Sequence, residues 1–462
     1  MARQRSGSGF AAKRGTKGQT KPGTCRRADP IERRIESALR PGEFVYDRVC
    51  FSFVSNLDGV AAEVRSLTKS DPARATALCE AFLAGCHQKV EELDDSSGSF
   101  GQFVQDLICL WIKARQGSGA DADKTASTLL AWMDDDPYAF CYQIEKDAAA
   151  AFNKVGLAAF EKQVRARFED VAGEPSGYPY RRWSEVLRAV YRVQRNIAAY
   201  VALAEQTGLK PEDCLAVAKL LAGRKPNEAL AWVERGRGLD GESRFRSGAA
   251  YDLDKLYREL LTRLGRQNEA LEAAWADFRE HPSKFTYDDL MKFVPKGERA
   301  EWHEKALDAA KGADLDALLE LFVETKETER LADLVRGSTD KALEDVSHYA
   351  TQPAARRLEK THLDLAARLW RAQGMRIVDA KKSKYYDAAI SNFERARDCY
   401  QRAGLDSEWE ETVRRVRAAH HRKTGFISEF ESLAAGARRA DEPSFLERAK
   451  ARWGERHGGG KS

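Results

Sequence analysis

The sequence predicts an all-α protein, a solenoid or superhelix built of helical hairpins, and three features carry that prediction. From Ile31 onward, apolar residues recur at intervals of three and four, the spacing that lines one face of a helix. The breaks between these runs are short and hold Gly, Pro, Asp or Ser, residues that stop one helix and cap the next. The tetrapeptide Asn-Glu-Ala-Leu occurs at Asn227–Leu230 and again at Asn268–Leu271, an offset of 41 residues. A period of that size points to stacked units rather than independent globules.

Taken in order, the chain opens on a tail, 1–30, expected to be disordered. Residues 1–28 carry eight Lys or Arg and no acid, while the rest of the 462 residues is nearly balanced, with 68 basic and 72 acidic side chains. The tail lacks the apolar run of a secretory signal, and its five glycines oppose the amphipathic helix of a transit peptide. Residues 31–172 form an N-terminal helical region. Within it, residues 43–57 are rich in β-branched and aromatic side chains, as strands are. Val45, Val49, Phe53 and Leu57 nevertheless fall four apart and run on into Val60 and Val64, which predicts a helix with those residues inside. Asp71-Pro72 opens a run through Leu78, Phe82 and Val90, and Ser99 opens another through Phe103, Leu107 and Leu110. Linkers are expected at 94–99, 116–121, 173–179 and 238–243.

Residues 181–456 form the repeat region, followed by a flexible tail, 457–462. Pro211 starts a helix through Leu215, Ala218 and Leu221, with Gly223 past its end. Ala229, Ala270 and Ala388 are small residues expected where a second helix seats on its partner, the logic of tetratricopeptide-like repeats, and about ten such pairs would fill the chain. In the helix after Tyr385, the stripe Tyr386, Ile390, Phe393, Ala396, Tyr400 and Ala403 faces inward, leaving Asp387, Glu394, Arg397 and Gln401 to solvent. Gly404 should end that helix in the left-handed conformation, with Asp406 or Ser407 capping the next.

The runs Glu212–Asp240, Tyr257–Ser283 and Tyr385–Glu431 resemble the helical-repeat region C-terminal to the zinc finger of bacterial SWIM proteins, a likeness spanning roughly residues 40–450. The resemblance implies a bacterial helical-repeat protein and carries no catalytic signature. A SWIM finger needs C-x-C and C-x-H ligand pairs, and neither occurs here, so the finger is absent and its nucleic-acid association is not implied.

Chemical motifs are sparse. The eight cysteines form no C-x-C or C-x-x-C, and read as reduced cytoplasmic thiols packed as small hydrophobes, Cys79 and Cys86 among them. His303-Glu304 lacks the second histidine of a zinc protease, since position 307 is leucine. The terminal stretch 454–462 misses phosphate-loop spacing by one residue, and 94–99 and 134–137 lack the ligand pattern of a calcium loop. Arg414, Arg415, Arg417 and His421 lie outside the apolar stripe Trp409, Val413, Val416 and His420, and read as a solvated face. Neither cofactor nor metal is expected, nor a membrane span, as no long apolar run exists. The expectation is a non-enzymatic scaffold whose concave surface holds a protein partner. The alternative is a nucleic-acid-associated protein whose tail residues Arg3, Arg5, Lys13, Arg14, Lys17, Lys21, Arg26 and Arg27 contact phosphates.

Overall fold

Helix caps and helical apolar spacing translate directly into structure. A computed structural model describes residues 29–40, 44–241 and 246–436, which hold 23 α-helices and no strand. The eight tail residues proposed as phosphate contacts lie outside the described residues, as does the C-terminal stretch 437–462. The chain divides into two units, residues 1–260 and 261–462.

The first unit starts with α1 (Pro30–Leu39), α2 (Asp47–Ser70), α3 (Pro72–Lys89), α4 (Ser99–Gly117) and α5 (Ala122–Asp134). It continues with α6 (Glu145–Ala151), α7 (Lys154–Asp170), α8 (Tyr178–Gln194) and α9 (Ile197–Thr207). It ends with α10 (Pro211–Leu221), α11 (Pro226–Gly241) and α12 (Ala250–Arg263), the last of which continues three residues past the unit's end at Leu260. Local chemistry sets these starts. Asp71, Asp121, Asn153 and Asn196 each accept a backbone N–H of the first turn that follows. Each helix buries its stripe against the next one or two in sequence, as α2 does on α3 and α4 and as α10 does on α11.

The second unit holds α13 (Gln267–Glu280), α14 (Lys284–Phe293), α15 (Arg299–Ala309), α16 (Leu315–Glu324), α17 (Thr328–Gly337) and α18 (Asp340–Asp345). After these come α19 (His348–Leu358), α20 (Leu363–Asp379), α21 (Tyr386–Arg402), α22 (Asp406–His420) and α23 (Thr424–Ala434). One apolar core runs through the unit from Ala274 to Leu433, with Trp370, Phe393, Phe426 and Phe430 at its C-terminal end. α20 packs closely on α21, where Gly374 faces the Phe393 ring. A Cβ on that glycine would lie 2.8 Å from two ring carbons.

Several expectations need correction. In α2 the buried face is Cys50, Val54, Leu57, Val60, Ala61 and Val64, while Val49 is 45% exposed. The helix begins at Asp47 because Val45 pairs in an isolated parallel bridge with Leu93, and this resets the phase of the stripe. The linker placed at 238–243 is helical to Gly241. Ala229 and Ala270 are buried as expected, but in α21 the buried alanine is Ala389 and Ala388 is exposed, because the repeat slips by one residue. Arg397 is also inside, 6% exposed, with its guanidinium donating to the Leu433 carbonyl at 2.7 Å and closing the end of α23. Gly404 is left-handed at φ +70°, but neither Asp406 nor Ser407 caps α22, whose N-cap is Leu405.

Candidate partner-binding site

The longest connection between α-helices among the described residues is 135–144, joining α5 to α6. Its sequence buries three anchors, Phe140, Cys141 and Ile144, which fix the segment to the core. The Asp136 carboxylate accepts the backbone N–H groups of Phe140 at 2.9 Å and Cys141 at 2.7 Å, which gives one member of the acidic run 134–137 a structural role. Tyr138 donates to Glu91 at 2.7 Å, and Gln105 donates to the Tyr142 carbonyl at 2.9 Å. These bonds hold two non-glycine residues in the left-handed region, Ala139 at φ 59° and Gln143 at φ 58°. Each such residue costs roughly 1–2 kcal/mol and persists only where its surroundings over-determine it.

That strain displays side chains. Tyr142 is 65% exposed and, with Tyr178 at the start of α8 (64% exposed), borders a cleft of about 440 Å³ between the loop and α8. Its other polar lining includes Asp134, Asp136, Glu145, Arg181, Arg182 and Glu185. Among the described residues neither Glu145 nor Arg181 has an ion-pair or hydrogen-bond partner for its side chain, so both face solvent with their charge unspent. Arg182 is fixed differently, donating to the Met133 carbonyl and lying over the Trp183 ring. Large exposed rings beside open charges are the composition of a peptide-contact surface.

The second unit holds the arrangement nearest to a catalytic constellation. Tyr287 Oη lies 2.7 Å from His303 Nδ1, and His303 Nε2 lies 3.1 Å from Glu327 Oε1. The order hydroxyl, imidazole, carboxylate is that of a nucleophilic triad. Burial, however, pushes the Tyr287 phenol up from its ordinary pKa, the opposite of what an activated nucleophile requires. Glu327 also faces Arg330 at 3.6 Å, and the chain of bonds links α14, α15 and the start of α17. No sequence motif could have shown it, since its members are 16 and 24 residues apart.

The basic cluster on α22 is neutralised by its neighbours. Arg414 pairs with Glu411, Arg415 with the buried Glu344 at 2.7 Å, and Arg417 with Glu431 at 2.6 Å. His420 lies in the stripe, as expected, and is buried. Cys79 and Cys86 are buried as well, and desolvation raises both thiols, Cys79 to about 12. No group of three or more His, Cys, Asp or Glu side chains among the described residues could hold a metal ion, and no described helix is long and apolar enough to cross a membrane.

A model described as a family of unknown function, DUF6880, matches residues 21–429. No curated protein matches the sequence. Among solved structures, the chain is similar to Naa15/Naa10 bound to HypK-THB, at 12% identity and TM-score 0.33, over 85% of this chain and 64% of that one. It therefore spans less than two thirds of that relative's length. It is also similar to a monomeric IFIT1 mutant with Gppp-AAAA, at 13% identity and TM-score 0.20, over 85% of this chain and 95% of that one. A third likeness is to a circular tandem repeat protein of novel repeat topology, at 10% identity and TM-score 0.18, over 88% and 93% of the two chains. At such low TM-scores the three bear on neither ligand nor mechanism.

Proposed function

The chain belongs to the DUF6880 family of unknown function, and on that footing we propose that it is a non-enzymatic helical-repeat scaffold that binds an extended segment of a protein partner. The observation that carries this reading is the strained, well-anchored loop 135–144, which holds Tyr142 opposite Tyr178 across an open cleft. A scaffold of stacked helices offers mostly side-chain surface, and an extended peptide is recognised by pockets for alternate residues on such a surface. Asp134 pairs with Arg167 at 2.9 Å and Glu185 with Arg188 and Lys210 at 3.5 Å, which leaves Glu145 and Arg181, one charge of each sign, open along the cleft. A lysine or arginine stem can lie along the tyrosine rings with its charge toward Glu145. The scaffold role expected from stacked helix pairs is the same, with the contact proposed at this cleft.

The test is co-purification with the intact chain, with a Tyr142→Ala/Tyr178→Ala chain, and with a chain lacking residues 1–28, followed by mass spectrometry and nucleic-acid quantification. Both tyrosine side chains are largely exposed, so their removal leaves the fold intact. A protein retained by the intact chain and reduced about tenfold by the double substitution is the expected result. Equal retention by both sinks the cleft as the site. Nucleic acid that binds the intact chain and is lost with residues 1–28 supports the tail as a phosphate contact instead.

A further inference from the structure

A second recognition site lies in the second unit, independent of the cleft. Trp275 of α13 and Trp302 of α15 form a corner, their ring centroids 5.5 Å apart and their planes 80° from each other. Lys305, one turn after Trp302, places its ammonium 3.9 Å from the Trp302 centroid and 4.6 Å from the Trp275 centroid. Lys305 is exposed, and among the described residues no carboxylate pairs with it and no acceptor takes its hydrogen bonds. Glu298 accepts the Trp302 indole N–H at 3.3 Å, putting a negative charge at the rim of the same corner. The rings are set in place, since Trp275 stacks on the buried Phe278 at 6.0 Å.

An ammonium seated there turns part of its hydration shell toward the negative faces of two indoles, which accept no ordinary hydrogen bond. A fully N-methylated ammonium has no hydrogen bonds to lose, so the same rings hold it at a lower desolvation cost. We propose that the Trp275–Trp302 corner is a site for a quaternary ammonium group, and that Lys305 is its resident stand-in, which the ligand must displace. Trimethyllysine on a protein and a free choline-type molecule present this same group.

Calorimetric titration of the full chain tests the proposal, with tetramethylammonium, choline and trimethyllysine amide as probes and 3,3-dimethylbutanol as the neutral isostere of choline. Lys305→Ala empties the corner, and is expected to bind the cations about tenfold more tightly than the unchanged chain. Adding Trp302→Phe, which keeps a ring in the core but weakens its negative face, should remove most of that gain. Circular dichroism shows whether each variant is folded. Tighter binding of trimethyllysine than of choline identifies a protein-borne ligand, and the reverse order identifies a free one. The proposal is overturned if Lys305→Ala shows no saturable binding, if it binds no tighter than the unchanged chain, or if the neutral isostere binds as well as choline.

Discussion

Arg188 and Asp213 are each 3% exposed at the side chain and 2.8 Å apart, a buried ion pair at the meeting of α8, α9 and α10. The guanidinium also donates to Thr207 at 2.6 Å and Ser184 at 3.1 Å, and the carboxylate accepts from Tyr200 at 2.8 Å and from the Lys210 backbone at 3.1 Å. With every direction satisfied, the cost of the pair is met by hydrogen bonds, and its removal on one side is not. Asp213→Ala is therefore expected to lose about 3–5 kcal/mol in urea unfolding, and Tyr200→Phe only about 1 kcal/mol. His420 is a different residue-scale case. It is buried without a hydrogen bond on either ring nitrogen, although Asp379 lies 3.2 Å from Nε2. Burial, and then the nearby Lys423 charge, hold its pKa below the ordinary 6.5. The unfolded chain therefore takes up a proton before the folded one does. The stabilisation is complete above about pH 6.5 and is lost as pH falls below it toward the depressed folded value. Stability against unfolding, measured from about pH 7 to 5, should decline more steeply for the unchanged chain than for His420→Phe, and parallel curves would remove His420 from the account.

At the scale of elements, Gly374 decides how closely α20 and α21 approach. Gly374→Ala drives a methyl into the buried Phe393 ring and should cost about 1–3 kcal/mol. Phe393→Leu on that background should recover part of the loss, a coupling that a double-mutant cycle measures directly. Helix starts such as Asp71-Pro72 and Pro211 were legible because capping is a local bargain between a side chain and backbone N–H groups two or three residues away. The phase of α2 was not legible. It depends on the bridge from Val45 to Leu93, a contact 48 residues distant. Arg397 escaped for a similar reason, since it donates to the carbonyl of Leu433, 36 residues away. The repeat frame was visible at Ala229 and Ala270, and slipped to Ala389 where the third copy is one residue longer. The candidate site was the least legible. Ala139 and Gln143 carry none of the glycine or asparagine signal that usually marks a left-handed turn, so 134–137 showed only an acidic run.

For the molecule as a whole, helices that bury their stripes on immediate neighbours transmit a defect only locally. Asp213→Ala should thus speed hydrogen exchange among α8, α9 and α10 while α20 and α21 keep their protection, and uniform loss of protection would contradict this. The cysteines among the described residues, all but Cys109 buried, give the same idea a chemical readout. Within the described residues, the first unit contains Cys50, Cys79, Cys86, Cys109, Cys141 and Cys214, and the second contains Cys399. Desolvation raises the thiols of Cys109 and Cys141 to about 12 and those of Cys214 and Cys399 to about 11, so little thiolate exists at neutral pH in the folded chain. Iodoacetamide consequently dates the opening of each neighbourhood. Cys214, one residue from the buried ion pair, should be alkylated early in Asp213→Ala, and Cys399 should follow only when the helices around Trp370 come apart.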